Sequence, residues 1–253
     1  MRKIFVIGIG VGDPDYMTIQ AIKALNQVDA FFIPDKGAEK AALRDLRTAI
    51  CERFIEKADY RTIGVDIPQR ATAGDYLAGV DEWHSRLADI YGRLFEHELE
   101  ENEVGAVLVW GDPAIYDSTL RIIERVRAKG LALDFQVIPG ISCVQVLAAK
   151  HRIALNQIGE NVLLTTGRKL ADGFPSEFGS VVVLLDGAQA FASLAEQDLD
   201  IFWGAYLGTE DEILLSGKLA DVKDEIEAVR RRAREQHGWI MDTYLLRKSD
   251  PGR

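Results

Sequence analysis

Apolar and polar positions follow two different patterns along the chain. In the first half, short continuous apolar runs are separated by stretches of helical spacing, which is typical of a parallel sheet whose strands are buried on both faces. The predicted strands of this half span residues 3–7, 29–33, 62–67, 104–110 and 133–138. The predicted helices span residues 18–26, 39–55, 75–101 and 118–129. This regular alternation predicts right-handed crossovers in an N-terminal α/β domain.

After about residue 150 the strand-like runs come closer together, and fewer helical stretches separate them. These runs span residues 161–166, 181–185, 201–207, 212–216 and 239–246. Such spacing favours hairpins or a mixed sheet, and one helix is expected between a cap at Asp221 and a stop at Gly238. We therefore predict an α/β fold of two domains with a cofactor cleft between them. Residues 1–139 would contain the mainly parallel sheet and residues 140–253 the mixed sheet.

Three of the predicted strands end in turns that carry potential ligand-binding groups. Their sequences are VIGIGVGDPDYMT at 6–18, LVWGDPAIYDST at 108–119 and VIPGISCVQVLAA at 137–149. Glycine adopts backbone conformations closed to other residues, so these turns let the main chain approach a ligand closely. Each turn alone is also typical of a strand end that binds nothing. Because the carboxyl ends of parallel strands meet at one sheet edge, we expect the three turns to line one crevice.

Composition narrows the function classes. The chain has 253 residues, of which 47% are apolar and 28% charged, as in ordinary globular proteins. Its formal net charge of −10 argues against broad nucleic-acid binding. No apolar run is long enough to suggest a membrane span, and the first apolar run breaks into a glycine turn, which predicts a strand rather than a signal peptide. Cys51 and Cys143 lack metal-site spacing, so we expect no metal and a reduced, cytoplasmic compartment.

The glycine spacing of the first turn, G-x-G-x-G at 8–12, differs from the dinucleotide-binding G-x-G-x-x-G. Asp13 and the proline after it stand where the phosphate-facing helix would begin. In a weak form of that signal, Asp35 after the second strand would bind a ribose. A nicotinamide-dependent oxidoreductase is therefore one alternative function, and a non-catalytic binding module is another.

Other reactive residue types have ordinary interpretations. The histidines of the long predicted helix, His84 and His97, are interpreted as surface residues. Cys143 is interpreted as a small helix-facing residue rather than a nucleophile. Arg152 and Arg168 belong to two basic clusters that are ordinary surface charge by default, although arginine is the residue best suited to gripping carboxylates.

Together and in this order, the three turns resemble the motifs of the tetrapyrrole (precorrin and uroporphyrinogen) methylases. Those motifs are a G-x-G-x-G-D loop, a GDP loop with an aromatic residue three positions on, and a P-G-I-[ST] turn. The segments 181–187 and 204–219 also resemble the family's C-terminal pattern. The resemblance implies two α/β domains with S-adenosylmethionine held in the cleft between them, a small-molecule tetrapyrrole substrate and, as in many members, a homodimer.

Most members of the family have fewer residues between the second strand and the GDP loop. The long segment 38–102 is most similar to that of the deacetylating members, which implies methylation of ring carbon 1 of precorrin-5 with loss of the acetyl group there as acetate. A related methylase acting at another ring position is the alternative within the family.

Carried over position by position, the resemblance implies cofactor contacts from Gly111, Asp112, Ile115, Ser142, Cys143, Asp186 and Gly208. Val11, Cys143 and Asp186 depart from the residue types common at their positions. Acetyl removal needs a base and a hydrogen-bond donor, for which Asp13 and Tyr116 are the candidates because both follow strand ends. The substrate carboxylates would be held by arginine, and the candidates are Arg168, Arg152 and Arg121.

Overall fold

A computed structural model describes residues 1–35, 41–70 and 75–249 of the protein. The chain forms two compact units, Met1–Ser142 and Cys143–Arg253. The boundary predicted after residue 139 lies just before this division. The cofactor cleft expected between the halves stays a prediction.

The first unit contains a five-stranded sheet in the order β3-β2-β4-β1-β5, with every neighbouring pair parallel. The parallel sheet predicted for this half is therefore confirmed. Its strands are β1 (Arg2–Gly8), β2 (Ala30–Asp35), β3 (Arg61–Asp66), β4 (Val104–Val109) and β5 (Leu133–Ile138). Its helices are α1 (Ile19–Leu25), α2 (Ala41–Phe54), α3 (Tyr76–Glu98) and α4 (Thr119–Ala128).

The position of β1 follows from its apolar residues, which face both sides of the sheet. Ile4 and Val6 belong to one buried cluster, while Phe5 and Ile7 belong to another on the opposite face. A strand buried on both faces is stable only with neighbours on both edges, and β1 pairs with β4 and β5. Ile7 pairs with both Leu108 and Ile138, so the three strands end at the same level.

The second strand ends later than predicted. It was predicted over residues 29–33, but β2 continues through Pro34 to Asp35. Its pairing with β4 ends at Phe32 while its pairing with β3 continues, so the proline lies where β2 has one neighbour and its missing N–H is tolerated. The predicted helix 39–55 begins in residues that lie outside the described ranges, and α2 is described from Ala41.

The second unit contains a sheet in the order β6-β7-β10-β8-β9, in which β6 and β7 are parallel and the other pairs are antiparallel. The predicted mixed sheet is therefore confirmed. Its strands are β6 (Val162–Thr166), β7 (Ser180–Leu184), β8 (Leu199–Ala205), β9 (Ile213–Lys218) and β10 (Asp242–Lys248). Its helices are α5 (Cys143–His151), α6 (Gly167–Leu170), α7 (Leu219–His237) and a 3-10 helix at Ala190–Leu194.

Helix α7 ends as predicted but begins earlier. Gly238 closes it in the left-handed conformation at φ 75°, and its N–H donates to the carbonyl of Arg234. The N-terminal cap is Lys218, and Asp221 lies inside the first turn, where its charge faces the positive pole of the helix.

A buried ion pair joins α7 to β10. The side chains of Arg230 and Asp242 are 7% and 6% exposed, with Nε 2.9 Å from Oδ2. The indole of Trp203 donates to the same Oδ2 atom at 3.0 Å, and Arg230 also donates to the carbonyl oxygen of Asp186. The charges of Arg230 and Asp242 therefore each have partners that offset the loss of water.

We expect Asp242→Asn to lower the free energy of unfolding by about 3 kcal/mol, because it leaves the Arg230 charge buried without a counter-charge. The matched control is Asp198→Asn, which removes a carboxylate at the same 2.9 Å from its cation, Lys218, but with Asp198 78% exposed. Solvent screens that pair, so the control is expected to unfold like the wild type. Urea unfolding of the whole chain checks both variants, and equal losses would contradict the account.

Candidate active site

The first two glycine turns are joined directly by their main chains. The N–H of Gly111 donates to the carbonyl of Gly10 at 2.8 Å, and the two residues form an antiparallel bridge. Ile9 donates to the carbonyl of Val109 at 2.9 Å. The turns that follow β1 and β4 therefore form one unit beyond the sheet edge.

The third turn is fastened to the second by a carboxylate. Oδ2 of Asp112 accepts from the N–H of Gly140 at 2.9 Å, and Oδ1 accepts from the N–H of Ala114 at 2.8 Å. A Cβ atom at Gly140 would lie 2.1 Å from the carbonyl oxygen of Gly111 and 2.8 Å from the main chain of Gly8. The structure thus brings the three predicted turns together at one edge, and their closest approach leaves no room for side chains.

The two proposed catalytic residues lie in these turns. Asp13 is half-buried, and its Oδ1 accepts from the N–H of Asp15 at 2.8 Å, which caps a short 3-10 turn at Pro14–Tyr16. Tyr116 adopts φ 50° and is 44% exposed. Burial raises the pKa of the Tyr116 phenol, so it keeps its proton at neutral pH and can donate a hydrogen bond. The catalytic roles of both residues stay predictions.

Asp186 is held firmly within the second unit. Its side chain is buried, and it accepts from the hydroxyl of Tyr244 at 2.6 Å and from the N–H groups of Ala190 at 2.7 Å and Ala188 at 3.2 Å. A Cβ at Gly167 would lie 2.2 Å from Oδ1. The carboxylate therefore fastens the loop after β7, and the cofactor contact expected of Asp186 stays a prediction.

The remaining residues expected to contact the cofactor have different surroundings. Gly208 has φ 77°, and its N–H donates to Oε2 of Glu212 at 2.8 Å. Ser142 is buried and Ile115 is half-buried. Cys143 is the first residue of α5, and burial raises the pKa of its thiol to about 11, so it is not a thiolate nucleophile at neutral pH.

The structure separates two of the candidate substrate arginines. Arg168 lies in α6, directly after β6, at the edge where Thr166 pairs with Leu184 just before Asp186. Arg152 lies at the opposite edge of the same sheet, where it lines a groove of about 920 Å³ together with Lys218 and other residues. The remaining residues of that groove include Asp200, Phe202, Arg247 and Lys248.

The third candidate, Arg121, belongs to the first unit. It lies in the first turn of α4 and donates to the carbonyl of Asp117 at 3.1 Å. It is therefore close in the chain to the GDP loop, at the same strand edge as the three turns.

The prediction that His84 is a surface residue is wrong, whereas His97 is exposed as predicted. The His84 side chain is buried, with Nε2 2.8 Å from the hydroxyl oxygen of Ser118. Its spacing from Leu87 and Tyr91 along α3 places it on the buried face, and this helical periodicity was the signal available in the sequence.

The first turn does not continue into a helix at its third glycine. A 3-10 turn at Pro14–Tyr16 follows, and α1 begins only at Ile19. Asp35, the possible ribose ligand, is paired with Arg44 at 3.1 Å. This geometry differs from that of a dinucleotide-binding loop, in which a helix N-terminus faces the phosphates.

Residues 3–223 match the family model of the Tetrapyrrole (Corrin/Porphyrin) Methylases. The chain belongs to this family. The resemblance inferred from the three turns is thereby confirmed.

Individual relatives agree with this assignment. The chain is 52% identical over 250 residues to a precorrin-6A synthase [deacetylating] from Sinorhizobium sp., covering 98% of this chain and 96% of the relative. The solved structure of a cobalamin synthesis related protein (CobF) from Corynebacterium diphtheriae matches with a TM-score of 0.84 and 38% identity, covering 99% and 100% of the two chains. A uroporphyrin-III-C-methyltransferase from Thermus thermophilus, at 17% identity and a TM-score of 0.63 with 97% and 94% covered, shares the fold.

Gly140→Ala tests the main-chain packing of the three turns. We expect it to lower the free energy of unfolding by at least about 2 kcal/mol, because the new Cβ overlaps backbone atoms that cannot move aside independently. The control is Gly92→Ala in α3, where the new Cβ would meet one side-chain carbon at 3.8 Å. That helical substitution is expected to raise stability by up to about 1 kcal/mol. Urea unfolding measures both, and a neutral Gly140→Ala would refute the packing argument.

Proposed function

We propose that the protein is an S-adenosylmethionine-dependent C-methyltransferase of cobalamin biosynthesis. It methylates ring carbon 1 of precorrin-5 and releases the acetyl group there as acetate, giving precorrin-6A. The observation that carries this proposal is the 52% identity over nearly the full length of both chains to a relative named for that reaction. The long segment between β2 and β4 supports the same choice among ring positions.

The residues at the strand ends suit a sulfonium nucleoside. Gly10 and Gly111 place two main chains side by side through an antiparallel bridge, and the half-buried Ile115 adds an apolar side chain to the second of these turns. In the second unit, Leu185 follows β7 with φ 55° and is 68% exposed, while a Cβ at Gly187 would meet open space. We propose that the cofactor contacts are made by Gly111, Asp112, Ile115, Ser142, Cys143, Asp186 and Gly208.

When bound, the cofactor supplies a methyl group that its positive charge has already activated. The protein then needs chiefly to hold the ring carbon in line with that methyl group, which rigid main-chain turns do well. The protonated phenol of Tyr116 can donate to an oxyanion at the acetyl carbon. Arg168 and Arg121 are proposed to hold the carboxylates of the substrate by charge-assisted hydrogen bonds.

We also propose that the enzyme is a homodimer, as the family resemblance implies, and that it is cytoplasmic, since Cys51 and Cys143 are both free cysteines. The net charge of −10 gives no general attraction to nucleic acid. Among residues 1–35, 41–70 and 75–249, no helix combines the length and apolar character that a membrane crossing needs.

Two measurements test the proposed function. Titration with S-adenosylhomocysteine is expected to show binding where NADH shows none, and the reverse result would favour the oxidoreductase alternative. Incubation with precorrin-5 and methyl-labelled S-adenosylmethionine is expected to place the label on ring carbon 1 and to release one acetate per methyl group. Label at another ring carbon, without acetate, would assign the chain to a different methylation step.

Arg168→Gln is expected to raise KM for the tetrapyrrole about tenfold or more with little change in kcat, because it removes charge-assisted hydrogen bonds to a substrate carboxylate. Arg152→Gln removes the same charge at the opposite sheet edge and is expected to change KM far less. Steady-state kinetics at low salt compare the two. A larger effect at Arg152 would reverse the assignment of the substrate-binding edge.

A further inference from the structure

We propose that Ser118 and His84 remove the acetyl group, with the Ser118 hydroxyl as the nucleophile and His84 as its base. This inference rests on the proposed function and deepens it, because it assigns the acyl-removal step to a pair of side chains. It moves the role of base from Asp13 to His84.

The contact of Ser118 is unusual for its place in the fold. Ser118 occupies the N-terminal cap position of α4, where a serine hydroxyl normally accepts from the first turn of the helix, but within the described residues it makes no such bond. The N–H of Thr119 donates instead to Oδ1 of Asp117 at 2.7 Å. The Ser118 hydroxyl is half-buried and lies 2.8 Å from Nε2 of His84.

The surroundings of His84 suit a base. Burial lowers the pKa of His84, and the positive charges of Arg125 and Arg121 lower it further, while Asp81 acts in the opposite direction. The imidazole is therefore neutral at pH 7. In the tautomer that carries its proton on Nδ1, Nε2 accepts from the serine hydroxyl, which is the arrangement of an activated serine.

A small cavity lies beside Ser118. It has a volume of about 70 Å³ and is lined by Ser118 together with Leu87, Ile122 and Arg47, among others. A water molecule occupies about 30 Å³ in the liquid, so the cavity has room for a two-carbon acyl group. Its apolar wall suits a methyl group. Its remaining polar lining is formed by Trp83, Tyr91, Asp117 and Thr119.

Arg47 brings a cation to this cavity. Its Nε donates to the carbonyl of Leu108 at 3.0 Å, at the carboxyl end of β4. Burial lowers the pKa of Arg47, with Tyr91 and Asp117 acting in the opposite direction, yet a guanidinium keeps its charge at neutral pH. A buried cation stabilises an oxyanion that forms beside it.

The places in the chain that supply these groups also fit the acetyl-removal step. Arg47 comes from α2 and His84 from α3, both in the long segment between β2 and β4, whereas Ser118 directly follows the GDP loop. The segment that is long in this chain therefore contributes the base and the cation. The shared loop contributes the nucleophile.

The step balances as an acyl transfer. Oγ of Ser118 bonds to the acetyl carbonyl carbon while its proton passes to Nε2 of His84. When the resulting oxyanion collapses, the bond to ring carbon 1 breaks, and its electron pair forms the new bond to the methyl group as the carbon–sulfur pair returns to sulfur. His84 releases its proton to solvent. Water then hydrolyses the Ser118 ester with His84 as base, which returns the serine hydroxyl and leaves acetate and a second proton.

The test compares acetate release by the full chain and its variants with precorrin-5 and S-adenosylmethionine. Ser118→Ala and His84→Gln are each expected to lower the rate by about a hundredfold or more, and the double variant no further, because the pair acts as a unit. Ser85→Ala, next to His84 on α3, is the control and is expected to release acetate like the wild type. Affinity for S-adenosylhomocysteine is measured for every variant to show that each is folded.

Ser118→Cys separates a nucleophile from a structural hydroxyl. A thiol at this position keeps a nucleophile next to His84, so it is expected to release acetate at least about tenfold faster than Ser118→Ala. If folded Ser118→Ala stays within about threefold of the wild type, or if the cysteine variant is no faster than the alanine variant, the inference is refuted. If the wild type releases no acetate and methylates no ring carbon, the proposed function itself fails.

Discussion

Main-chain crowding beyond the ends of β1, β4 and β5 is the constraint on which the rest of the first unit depends. Gly8, Gly111 and Gly140 approach so closely that a methyl group on Gly8 or Gly140 would overlap backbone atoms. Such an approach requires three strands that end at the same level, and the paired register of the parallel sheet provides it. The carboxylate of Asp112 then holds the second and third turns together by accepting hydrogen bonds from the N–H groups of Ala114 and Gly140.

This constraint explains why so much of the fold was predictable from the sequence. A strand buried on both faces leaves a continuous apolar run, and β4, predicted over 104–110, spans Val104–Val109 in the structure. Turns whose main chains pack against each other require glycine at fixed positions. Glycine turns after three predicted parallel strands therefore indicated that the three stretches meet at one edge of the sheet. The deviation at Pro34 is of a different kind, because it depends on which neighbour β2 has at that residue.

The side-chain partners were not predictable in the same way, because they depend on packing between distant elements. His84 meets Ser118 only because α3 packs on α4, and Asp186 meets Tyr244 across 58 positions of sequence. The surroundings of Arg152 also depend on the fold rather than on its distance along the chain. It follows the third turn closely in sequence, but α5, about 13 Å long at about 1.5 Å per residue, lies between them, and Arg152 lines a groove with Lys218 in the second unit.

The site therefore combines two kinds of chemistry with different structural demands. Methyl transfer from a sulfonium needs position more than reactive side chains, and main-chain turns at the ends of β1, β4 and β5 give position with little freedom to vary. Acyl removal also needs a proton acceptor, which must be a side chain, and a stabilised oxyanion, and His84 and Arg47 fill these two roles in the proposed step. Those side chains lie on α2 and α3, outside the crowded turns. A long segment at this place in the chain can therefore add a second reaction to the fold while the cofactor turns keep their main-chain packing.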